Sequence, residues 1–479
     1  MRRSSGVCPR HGIMVFDLQT QGSPMTAPTT LQPIVPSTSK KTDGVPRIVV
    51  VGGGAGGLEL VTRLGQQLGK SGRAEIVLVD RSPSHLWKPL LHEVAAGSMD
   101  ANTHQVDYVA QARWHHFEFQ QGELRGLDRA AKQLSVAALI DDEGIEVLPA
   151  RTLAYDTLVL AIGSMTNYFG VEGAATHAMA LDALGQAEHF RRRLISACMR
   201  AQNTSAATPG VASRVDVVIV GGGATGVELA AELRNTAEVF GAYGLHHLDG
   251  QRDIHLTLVE AGPRILAPLP ERVALQTSKL LEQLNVTVLT GEAVVKVEAH
   301  AVLTASGKSL PADLIVWSAG IKVAPILGEL GLPVNRLGQV PVLASLQTEI
   351  DPAIFAMGDC ASCPWPEKNI TVPPRAQAAH QQATFLVNAL RLQLDGKPLP
   401  AFRFLDHGSL VSLGRFNAVG NLMGKLTGKS LLIEGLLARL LYAALYRSHR
   451  MVLLGPMRML LDLLAQWLRG KTVPRIKLH

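Results

Sequence analysis

Cysteine is scarce in this sequence. Its 479 residues include four cysteines: Cys8, Cys198, Cys360 and Cys363. Disulfide-stapled secreted domains carry more cysteines at closer spacing, so this count argues for a reduced, cytoplasm-facing protein. The first 44 residues also lack the apolar core of a signal peptide, which argues against secretion.

Long apolar runs are missing as well. No uninterrupted apolar stretch approaches the roughly 20 residues that a membrane-spanning helix needs. Acidic residues are scarce from Lys425 onward. This part of the chain contains ten Lys and Arg residues and two acidic residues, which gives it a net charge of +8. The whole chain carries +6, so the part before Lys425 carries −2. This distribution argues against a nucleic-acid partner and for a local anionic partner such as a membrane surface.

Residues 1–45 are expected to form a disordered extension. They are rich in Ser, Thr, Pro and Gln and show no hydrophobic periodicity. Met25 precedes a short polar lead into the first predicted strand, so Met25 or another internal methionine is expected to be the true start.

The chain does contain a buried strand that runs into a glycine cluster. Residues 47–51, one Arg and four β-branched residues, lead into a glycine-rich turn, and a helical pattern begins at Leu58. Strand, turn and helix N-terminus together form the phosphate-binding part of a dinucleotide-binding unit. Such a unit needs glycine for the sharp turn, for approach of backbone N–H groups to a pyrophosphate, and for close helix–strand packing. The predicted cofactor-binding residues of this turn are Gly52, Gly53, Gly54, Ala55, Gly56 and Gly57.

The same pattern occurs a second time, after residues 216–220. The chain is therefore predicted to contain two related α/β units, with the nearly continuous apolar strands of parallel sheets. In each unit the next strand ends in an acid, Asp80 or Glu260, which would accept hydrogen bonds from an adenosine ribose and disfavour a 2′-phosphate. Arg264 lies close to Glu260 in the sequence, and its positive charge could weaken this preference against NADPH. The predicted residues of the second unit are Gly221, Gly223, Ala224, Thr225, Gly226, Glu260 and, after its closing strand, Gly320.

Two further glycine turns extend the pattern. Residues 155–162 form another apolar strand that ends at Gly163, and Gly358-Asp359 follows a later one. Together with the two glycine clusters, these turns resemble the flavoproteins with two dinucleotide-binding domains. In that superfamily the first unit holds FAD, the second holds NAD(P)H, and the Gly-Asp pair contacts the flavin ribityl and pyrophosphate. The resemblance thereby implies that Gly163, Gly358 and Asp359 bind FAD.

Three segments narrow the resemblance. Residues 84–97, residues 375–381 (Arg-Ala-Gln-Ala-Ala-His-Gln) and the basic amphipathic tail look like a bacterial type II NADH:quinone oxidoreductase, over residues 46–479. The resemblance implies hydride transfer from NADH to FAD, followed by two-electron reduction of a membrane quinone without proton pumping. It also implies that Lys88 and Ala376 lie against the flavin.

The resemblance implies three catalytic residues. Glu228 would lie near the nicotinamide and the flavin, although the helix dipole also favours an acid at this helix start. Gln377 and Gln381 share one helix face at the quinone entrance, where amides can hydrogen-bond a quinone carbonyl. His380 is given no role. His407 stands where some relatives carry lysine, which leaves a cationic quinone contact open, and no metal site is expected.

Cys360 and Cys363 leave an enzymatic alternative, a soluble FAD- and NAD(P)H-dependent reductase of disulfides or small molecules. The pair follows the Gly-Asp turn instead of occupying the dithiol position of such relatives. Two cysteines also supply only half of a zinc site. The absence of cysteine between Cys8 and Cys198 argues against a sulfide:quinone oxidoreductase. A non-enzymatic alternative is a sensor that binds both nucleotides structurally, and the two glutamines argue against it.

The expected fold class is α/β, with two Rossmann-like domains for FAD and NADH and a C-terminal membrane-associating amphipathic helical region. After the extension, the FAD-binding domain takes residues 46–170 and 326–400, the NADH-binding domain 171–325, and the membrane-anchoring region 401–479. Basic amphipathic helices with Leu and Trp typically lie in the membrane interface, and packing on the protein's own core is the alternative. The expected location is the cytoplasmic face of the inner membrane. The partners are a membrane quinone and the bilayer surface, and a homodimer stays open.

Overall fold

The structure is a computed structural model that describes residues 37–39, 42–207, 214–238, 240, 248–414, 417–423 and 430–469. Most of the predicted extension, with Cys8 and Met25, lies outside these ranges. At its end the structure differs from the expected disorder, because Ser37–Ser39 pair in parallel with the strand Arg151–Ala154. That strand also pairs with Gln133–Val136, which continues to Leu124–Asp128 in a four-stranded sheet.

A five-stranded parallel sheet forms the first centre of the fold. Its strands, in spatial order, are Ile354–Ala356, Thr157–Leu160, Arg47–Val51, Glu75–Asp80 and Glu118–Gln121. The two strands that flank its switch point are fully buried, which explains their apolar sequences. A late segment of the chain, 354–356, thus completes the sheet that begins at residue 47. The direction of strand succession reverses at 47–51, and ligands bind at such switch points, beyond the carboxyl ends of the strands.

A four-stranded parallel sheet forms the second centre. Its strands, in spatial order, are Val286–Thr290, Ile254–Glu260, Val215–Val220 and Leu314–Trp317. Its switch point lies between the strands that begin at 215 and 314. The predicted pair of Rossmann-like α/β units is therefore confirmed.

The helices cover these sheets and carry most of the residues that matter below. We call Ala55–Leu64 the first nucleotide helix, Ala224–Ala237 the second nucleotide helix, Ala376–Leu394 the glutamine helix and Leu436–Arg469 the C-terminal helix. The remaining α-helices are Leu91–Ala96, Ala101–His104, Tyr108–His115, Ala174–His177, Leu184–Ala207, Glu271–Gln283 and Ile326–Glu329.

Small antiparallel sheets and strand pairs complete the fold. One three-stranded sheet comprises Val294–Val297, Ala301–Thr304 and Ser309–Pro311, and the other comprises Gly408–Leu413, Asn417–Met423 and Ser430–Glu434. The two-stranded pairs are Leu139–Ile140 with Glu146–Leu148, Ser84–His85 with Val106–Asp107, Met165–Thr166 with Ile321–Lys322, Val340–Pro341 with Ala361–Ser362, and Pro364–Trp365 with Ile370–Thr371.

The C-terminal helix joins the two amphipathic helices of the prediction at a bend. Gly455 has φ 74° and ψ 167°, outside the helical region, and Pro456 follows it. Among the described residues this is the one helix long and apolar enough to cross a membrane by length and composition, with a mean hydropathy of 1.3. It still contains no uninterrupted apolar run of roughly 20 residues, since arginines interrupt it. Arg450 before the bend forms an ion pair with Asp462 after it, at 2.9 Å.

Candidate functional site

The first glycine cluster forms an open turn at the switch point of the first sheet. Gly52 has φ +107°, and a side chain there would collide with the Ala161 carbonyl. A side chain at Gly57 would collide with the Gly52 carbonyl, which explains the close packing of helix on strand. Gly54 caps the first nucleotide helix without a side-chain hydrogen bond, and a Cβ at Gly54 would meet no atom within 4 Å. Unpaired N–H groups at this helix start therefore face open space, as a pyrophosphate site requires.

The second glycine cluster repeats this geometry. Gly221 has φ +111°, and a side chain at Gly226 would collide with the Gly221 carbonyl. Gly223 caps the second nucleotide helix without a side-chain bond, and space beside it is also open. Ala224 and Thr225 begin that helix. The two turns thus offer two equivalent anion sites, one at each sheet.

The acids at the strand ends fold back onto these turns. Asp80 accepts hydrogen bonds from the Gly53 and Ser82 amides, at 2.6 and 2.7 Å. Burial raises the pKa of Asp80. Glu260 accepts from the Gly222 amide at 2.7 Å and binds a second amide, two residues further on, at the same distance. Each carboxylate oxygen keeps a second lone pair, so both acids retain capacity for a ribose hydroxyl.

A second set of predicted FAD residues lies beside the first turn. Gly163 and Gly358 both have positive φ, 77° and 70°, and follow adjacent parallel strands. Asp359 accepts a hydrogen bond from the Ser164 hydroxyl at 2.6 Å. Lys88 donates to the Ser164 carbonyl at 2.9 Å, which places its ammonium group next to Gly163. The structure therefore brings these four predicted residues together.

Close packing explains why glycine occupies the remaining loop positions, 53, 56 and 320. A side chain at Gly53 would collide with the ring of Tyr108, whose hydroxyl donates to the Gly53 carbonyl at 2.7 Å. A side chain at Gly56 would meet Met357. Gly320 has φ +67°, and a side chain there would collide with the ring of Phe169.

A cavity of about 520 Å³ extends from the first turn to the C-terminal helix. Its lining includes Ala55 of the first nucleotide helix, Gln377 and Gln381 of the glutamine helix, and Leu445 and His449 of the C-terminal helix. Ala376, Trp87, His380 and His407 line it too. The cavity thus connects the predicted FAD residues with the predicted quinone residues.

The two glutamine amides hold a chain segment in the cavity wall. Gln381 donates to the Leu405 carbonyl at 2.8 Å and accepts from its amide at 2.9 Å. Gln377 donates to the Gly408 carbonyl at 3.0 Å and accepts from the His407 amide at 3.2 Å. Both side chains therefore position residues 405–408, and each amide oxygen keeps a lone pair for a further bond.

Glu228 does not line that cavity. It lies at a buried junction, where its Oε1 accepts from the Ser412 amide at 3.0 Å and its Oε2 lies 3.7 Å from Nδ1 of His92. Burial, and secondarily Glu93, raise the pKa of Glu228 to about 8. A carboxyl with this pKa exchanges a proton near neutral pH, as acid–base catalysis requires.

Three side chains near Glu228 were not identified as functional from the sequence: Glu93, Glu232 and Tyr442. Burial, with Glu232 nearby, raises the pKa of Glu93 to about 7. Glu232 follows Glu228 by four residues, so helix periodicity alone predicts a shared face. The hydroxyl of Tyr442, from the C-terminal helix, is buried and has no hydrogen-bond partner among the described residues. No local pattern links Glu93 or Tyr442 to Glu228, because they are distant in sequence.

The cysteine pair is inert in this structure. Cys360 and Cys363 are buried free thiols, and burial raises the pKa of each to about 11. Cys360 donates to the Met357 carbonyl at 3.2 Å. Thiols with such a pKa remain protonated near neutral pH and are poor nucleophiles, so the geometry does not favour a disulfide reductase.

Comparison with known proteins places the chain in a family. The model of the family described as pyridine nucleotide-disulphide oxidoreductase matches residues 46–383. A type II NADH:quinone oxidoreductase of Haemophilus influenzae is 39% identical over 443 residues, covering 90% of this chain and 99% of that protein. A demethylphylloquinone reductase of Synechocystis is 30% identical over 436 residues, with coverages of 90% and 99%.

Solved structures agree on the fold. The structure of NDH2 from Plasmodium falciparum in complex with NADH superimposes with a TM-score of 0.74 at 19% identity, covering 90% of this chain and 100% of that one. At this identity the likeness concerns the fold alone. Fold, glycine turns and sequence relatives agree, and the chain belongs to the type II NADH:quinone oxidoreductases within the pyridine nucleotide-disulphide oxidoreductase family.

Proposed function

We propose that this protein oxidises NADH and reduces a quinone at a membrane, with FAD as its resident cofactor. The overall reaction consumes NADH, one proton and a quinone, and yields NAD⁺ and a quinol. The observation that carries the proposal is the cavity, since it runs from the first glycine turn to a helix with a largely apolar exposed face. The full-length likeness to quinone oxidoreductases supports the same activity.

The first sheet has the features that FAD needs. The uncapped N–H groups behind Gly54 suit the pyrophosphate, and the remaining lone pairs of Asp80 suit the adenosine ribose. Gly163, Gly358 and Asp359 border the same crevice, with Lys88 beside them. When bound, FAD supplies the two-electron chemistry that no side chain of this chain can perform.

The second sheet has the features that NADH needs. Its uncapped helix behind Gly223 suits the pyrophosphate, and Glu260 suits the ribose hydroxyls while it opposes a 2′-phosphate. Arg264 does not offset this preference in the structure, because its guanidinium group donates to the carbonyls of Leu269 and Ala267 at 2.8 Å. We therefore propose that NADH is strongly preferred over NADPH.

The protein's own side chains bind and orient the ligands, and they hold protons. Gln377 and Gln381 shape the quinone cavity by fixing residues 405–408, and each amide oxygen retains a lone pair for a further hydrogen bond. Glu228 holds a proton at a buried site and can release it near neutral pH. Glu93 lies close enough to contribute to this raised pKa, and we propose that the two carboxyls supply protons to the quinone.

The C-terminal helix is proposed to dock on the bilayer surface from the cytoplasmic side, where NADH is found. Its exposed apolar residues are Leu436, Leu437, Leu440, Leu445, Met451, Met457, Leu460, Leu461, Leu464, Trp467 and Leu468. Buried residues along its length, Ala438, His449, Leu453 and Met459, hold it against the protein body. This arrangement favours a helix in the interface over one that crosses the membrane alone.

The test uses purified protein in detergent with NADH or NADPH and a short-chain quinone. We expect rapid flavin bleaching by NADH, slow bleaching by NADPH, and reoxidation by quinone. Bleaching without reoxidation by quinone would contradict the proposed acceptor. A Cys360→Ser, Cys363→Ser variant should keep the activity, and loss of turnover in that variant with FAD still bound would favour the dithiol alternative.

A further inference from the structure

Trp114 is an exposed aromatic residue that lies outside the C-terminal helix and contacts it. It belongs to the last turn of the helix Tyr108–His115, and 42% of its surface is exposed. The guanidinium carbon of Arg458 lies 4.0 Å from the centroid of its ring. Trp114 is therefore adjacent to the arm of the C-terminal helix that follows the bend at Gly455.

Buried contacts hold this arm against the protein body. Leu453 and Met459, on the two sides of the bend, are 0% and 3% exposed, and Leu453 belongs to the hydrophobic core of the first sheet. The ion pair between Arg450 and Asp462 joins the two arms across the bend. Arg458 therefore meets Trp114 on an arm that the core holds in place.

The exposed indole enlarges the apolar surface of the C-terminal helix. Leu461 follows Arg458 by three residues, so the two share a helix face, and Leu461 is 57% exposed. Exposed apolar surface from two separate elements, Trp114 on one and Leu461 on the other, is thus adjacent to Arg458. Contiguous apolar surface of this kind marks a site of interaction.

The charges around this surface indicate the chemistry of the partner. Among the described residues, Arg113, Arg447 and Arg458 have no acidic partner, and Asp462 is already paired with Arg450. Unpaired guanidinium groups beside apolar surface fit the anionic headgroups and acyl chains of a phospholipid interface. A second copy of this chain would bring the same cations together across a two-fold axis, which opposes that alternative.

The stacked pair of Trp114 and Arg458 suits a phospholipid in particular. A guanidinium group on an aromatic face keeps the N–H groups of its planar fork available for two parallel bonds to a phosphate. Tryptophan, with an apolar body and one polar N–H, is enriched at membrane interfaces. The two side chains therefore provide one group for the headgroup and one for the boundary of the acyl chains.

We propose that Trp114 and Arg458 form a second bilayer contact, in which the indole enters the membrane interface and the guanidinium group binds a phospholipid phosphate. This inference rests on the proposed docking of the C-terminal helix and extends the docking surface to the body of the protein. A single helix on a surface can roll about its own axis. A contact beside that axis fixes the rotation of the protein on the membrane.

Three substitutions divide the contact into its parts. Trp114→Ala removes the ring, Trp114→Phe keeps an aromatic face for Arg458, and Arg458→Gln removes the charge. Ile145→Ala is the control for an exposed apolar residue (63%), and Arg336→Gln is the control for an exposed arginine.

The experiment is flotation of the FAD-loaded, full-length protein with vesicles of phosphatidylcholine, alone or mixed with phosphatidylglycerol. On the mixed vesicles we expect Trp114→Ala to bind about three- to tenfold more weakly than the parent protein. Arg458→Gln should bind about fivefold more weakly there, the effect of roughly one cation at an anionic surface, and like the parent on phosphatidylcholine alone. Trp114→Phe and both controls should stay within about twofold of the parent.

A second measurement detects the ring itself. Brominated acyl chains quench tryptophans that enter a bilayer, and Trp467 of the C-terminal helix is exposed as well. The emission of the parent minus that of Trp114→Phe isolates Trp114, and we expect brominated vesicles to quench this difference. NADH-to-dye electron transfer should match that of the parent in every variant, which shows that the fold is intact.

Two results would overturn the assignment. The first is an unquenched Trp114 signal on vesicles that bind the parent, together with parental binding of Trp114→Ala. The second is a dimer of the parent in gel filtration that Trp114→Ala cannot form, since a second copy of the chain would then cover the surface. A failure of the proposed docking is distinguishable, because the parent itself would then stay off both kinds of vesicle.

Discussion

Glu228 contacts chain segments that lie far from it in the sequence. It belongs to the second nucleotide helix, yet its carboxyl accepts from the Ser412 amide of the strand Gly408–Leu413 and lies near His92 of the helix Leu91–Ala96. Burial raises the pKa of Glu228 to about 8, so the carboxyl is mostly protonated at pH 7. Such a group can serve proton transfer, but it also makes the stability of the fold depend on pH.

Replacement of Glu228 by Gln should change that pH dependence. Below the ordinary pKa of 4.5 the carboxyl is protonated in both folded and unfolded chains and costs nothing. Between 4.5 and about 8 the unfolded chain releases the proton while the folded one retains it, so stability falls as the pH rises. Gln keeps an acceptor for Ser412 and has no charge, so at pH 8.5 the variant should be more stable by on the order of a few kcal/mol.

Denaturant unfolding of the FAD-loaded protein at pH 5.5, 7 and 8.5 measures this difference. Glu282→Gln, at an exposed position of the helix Glu271–Gln283, is the control and should follow the parent protein at every pH. Parallel curves for the parent and Glu228→Gln would show that Glu228 ionises normally in the folded state.

At the residue scale, sequence predicts what is local. The glycines and the acids Asp80 and Glu260 stand at fixed offsets along one strand–turn–helix unit, so spacing alone identifies them. His449 contacts His85 across 364 residues, and no period or motif connects two positions so far apart. Sequence reasoning also gave His380 no role, whereas the structure bonds its Nδ1 to buried Glu59 at 2.7 Å beside the cavity.

At the element scale, the two nucleotide helices start in the same way for the same reason. In each, the last glycine of the turn packs against the carbonyl of the first, so that the helix can approach the strand. Gly57 and Gly226 are equivalent in this respect. The repeat therefore allows each cofactor site to be disturbed separately.

Gly57→Ala and Gly226→Ala should separate the two sites. Each added methyl group collides with backbone that cannot yield cheaply, at Gly52 or at Gly221. We expect Gly57→Ala to be purified with little FAD. Gly226→Ala should retain FAD and show a KM for NADH raised by about tenfold or more, because overpacking costs on the order of 1–3 kcal/mol.

Flavin absorbance after gel filtration and steady-state kinetics with a dye acceptor provide the measurements. Gly185→Ala is the matched control, since a Cβ at this position in the helix Leu184–Ala207 meets no atom within 4 Å. Loss of FAD from Gly226→Ala together with full FAD in Gly57→Ala would reverse the assignment of the two sheets.

At the scale of the whole molecule, the fold class follows from the sequence because each strand–turn–helix unit is contiguous. The late strand 354–356 beside 157–160 was suggested only by its position after the second unit. The bend at Gly455 was not predicted, because an amphipathic pattern reads through a glycine and a proline without showing the change of direction. The cavity could not be predicted either, since five separate chain segments form its wall.

The exposed apolar face of the C-terminal helix leads to the last prediction. Leu460 and Leu464 are 63% and 53% exposed and lie one helical turn apart. A double substitution, Leu460→Ser with Leu464→Ser, removes apolar area from this face, whereas Leu275→Ser removes an equally exposed leucine (57%) from the helix Glu271–Gln283. If the face enters a bilayer, the double variant should bind vesicles containing anionic lipid about tenfold more weakly or worse, since each leucine side chain is worth on the order of 1.5 kcal/mol or more when fully buried.

Vesicle flotation measures the bound fraction, and NADH-to-dye electron transfer, which does not need the bilayer, should stay unchanged. Equal flotation of the parent and the double variant would place the anchor elsewhere in the chain. If the parent instead forms a dimer that the double variant cannot form, and neither floats, a second copy of the chain covers this face.

Because NADH is cytoplasmic, the proposed orientation further requires inside-out membrane vesicles to oxidise added NADH and right-side-out vesicles not to. In that orientation NADH would reach the protein from the cytoplasm, and quinone would enter the cavity from the membrane.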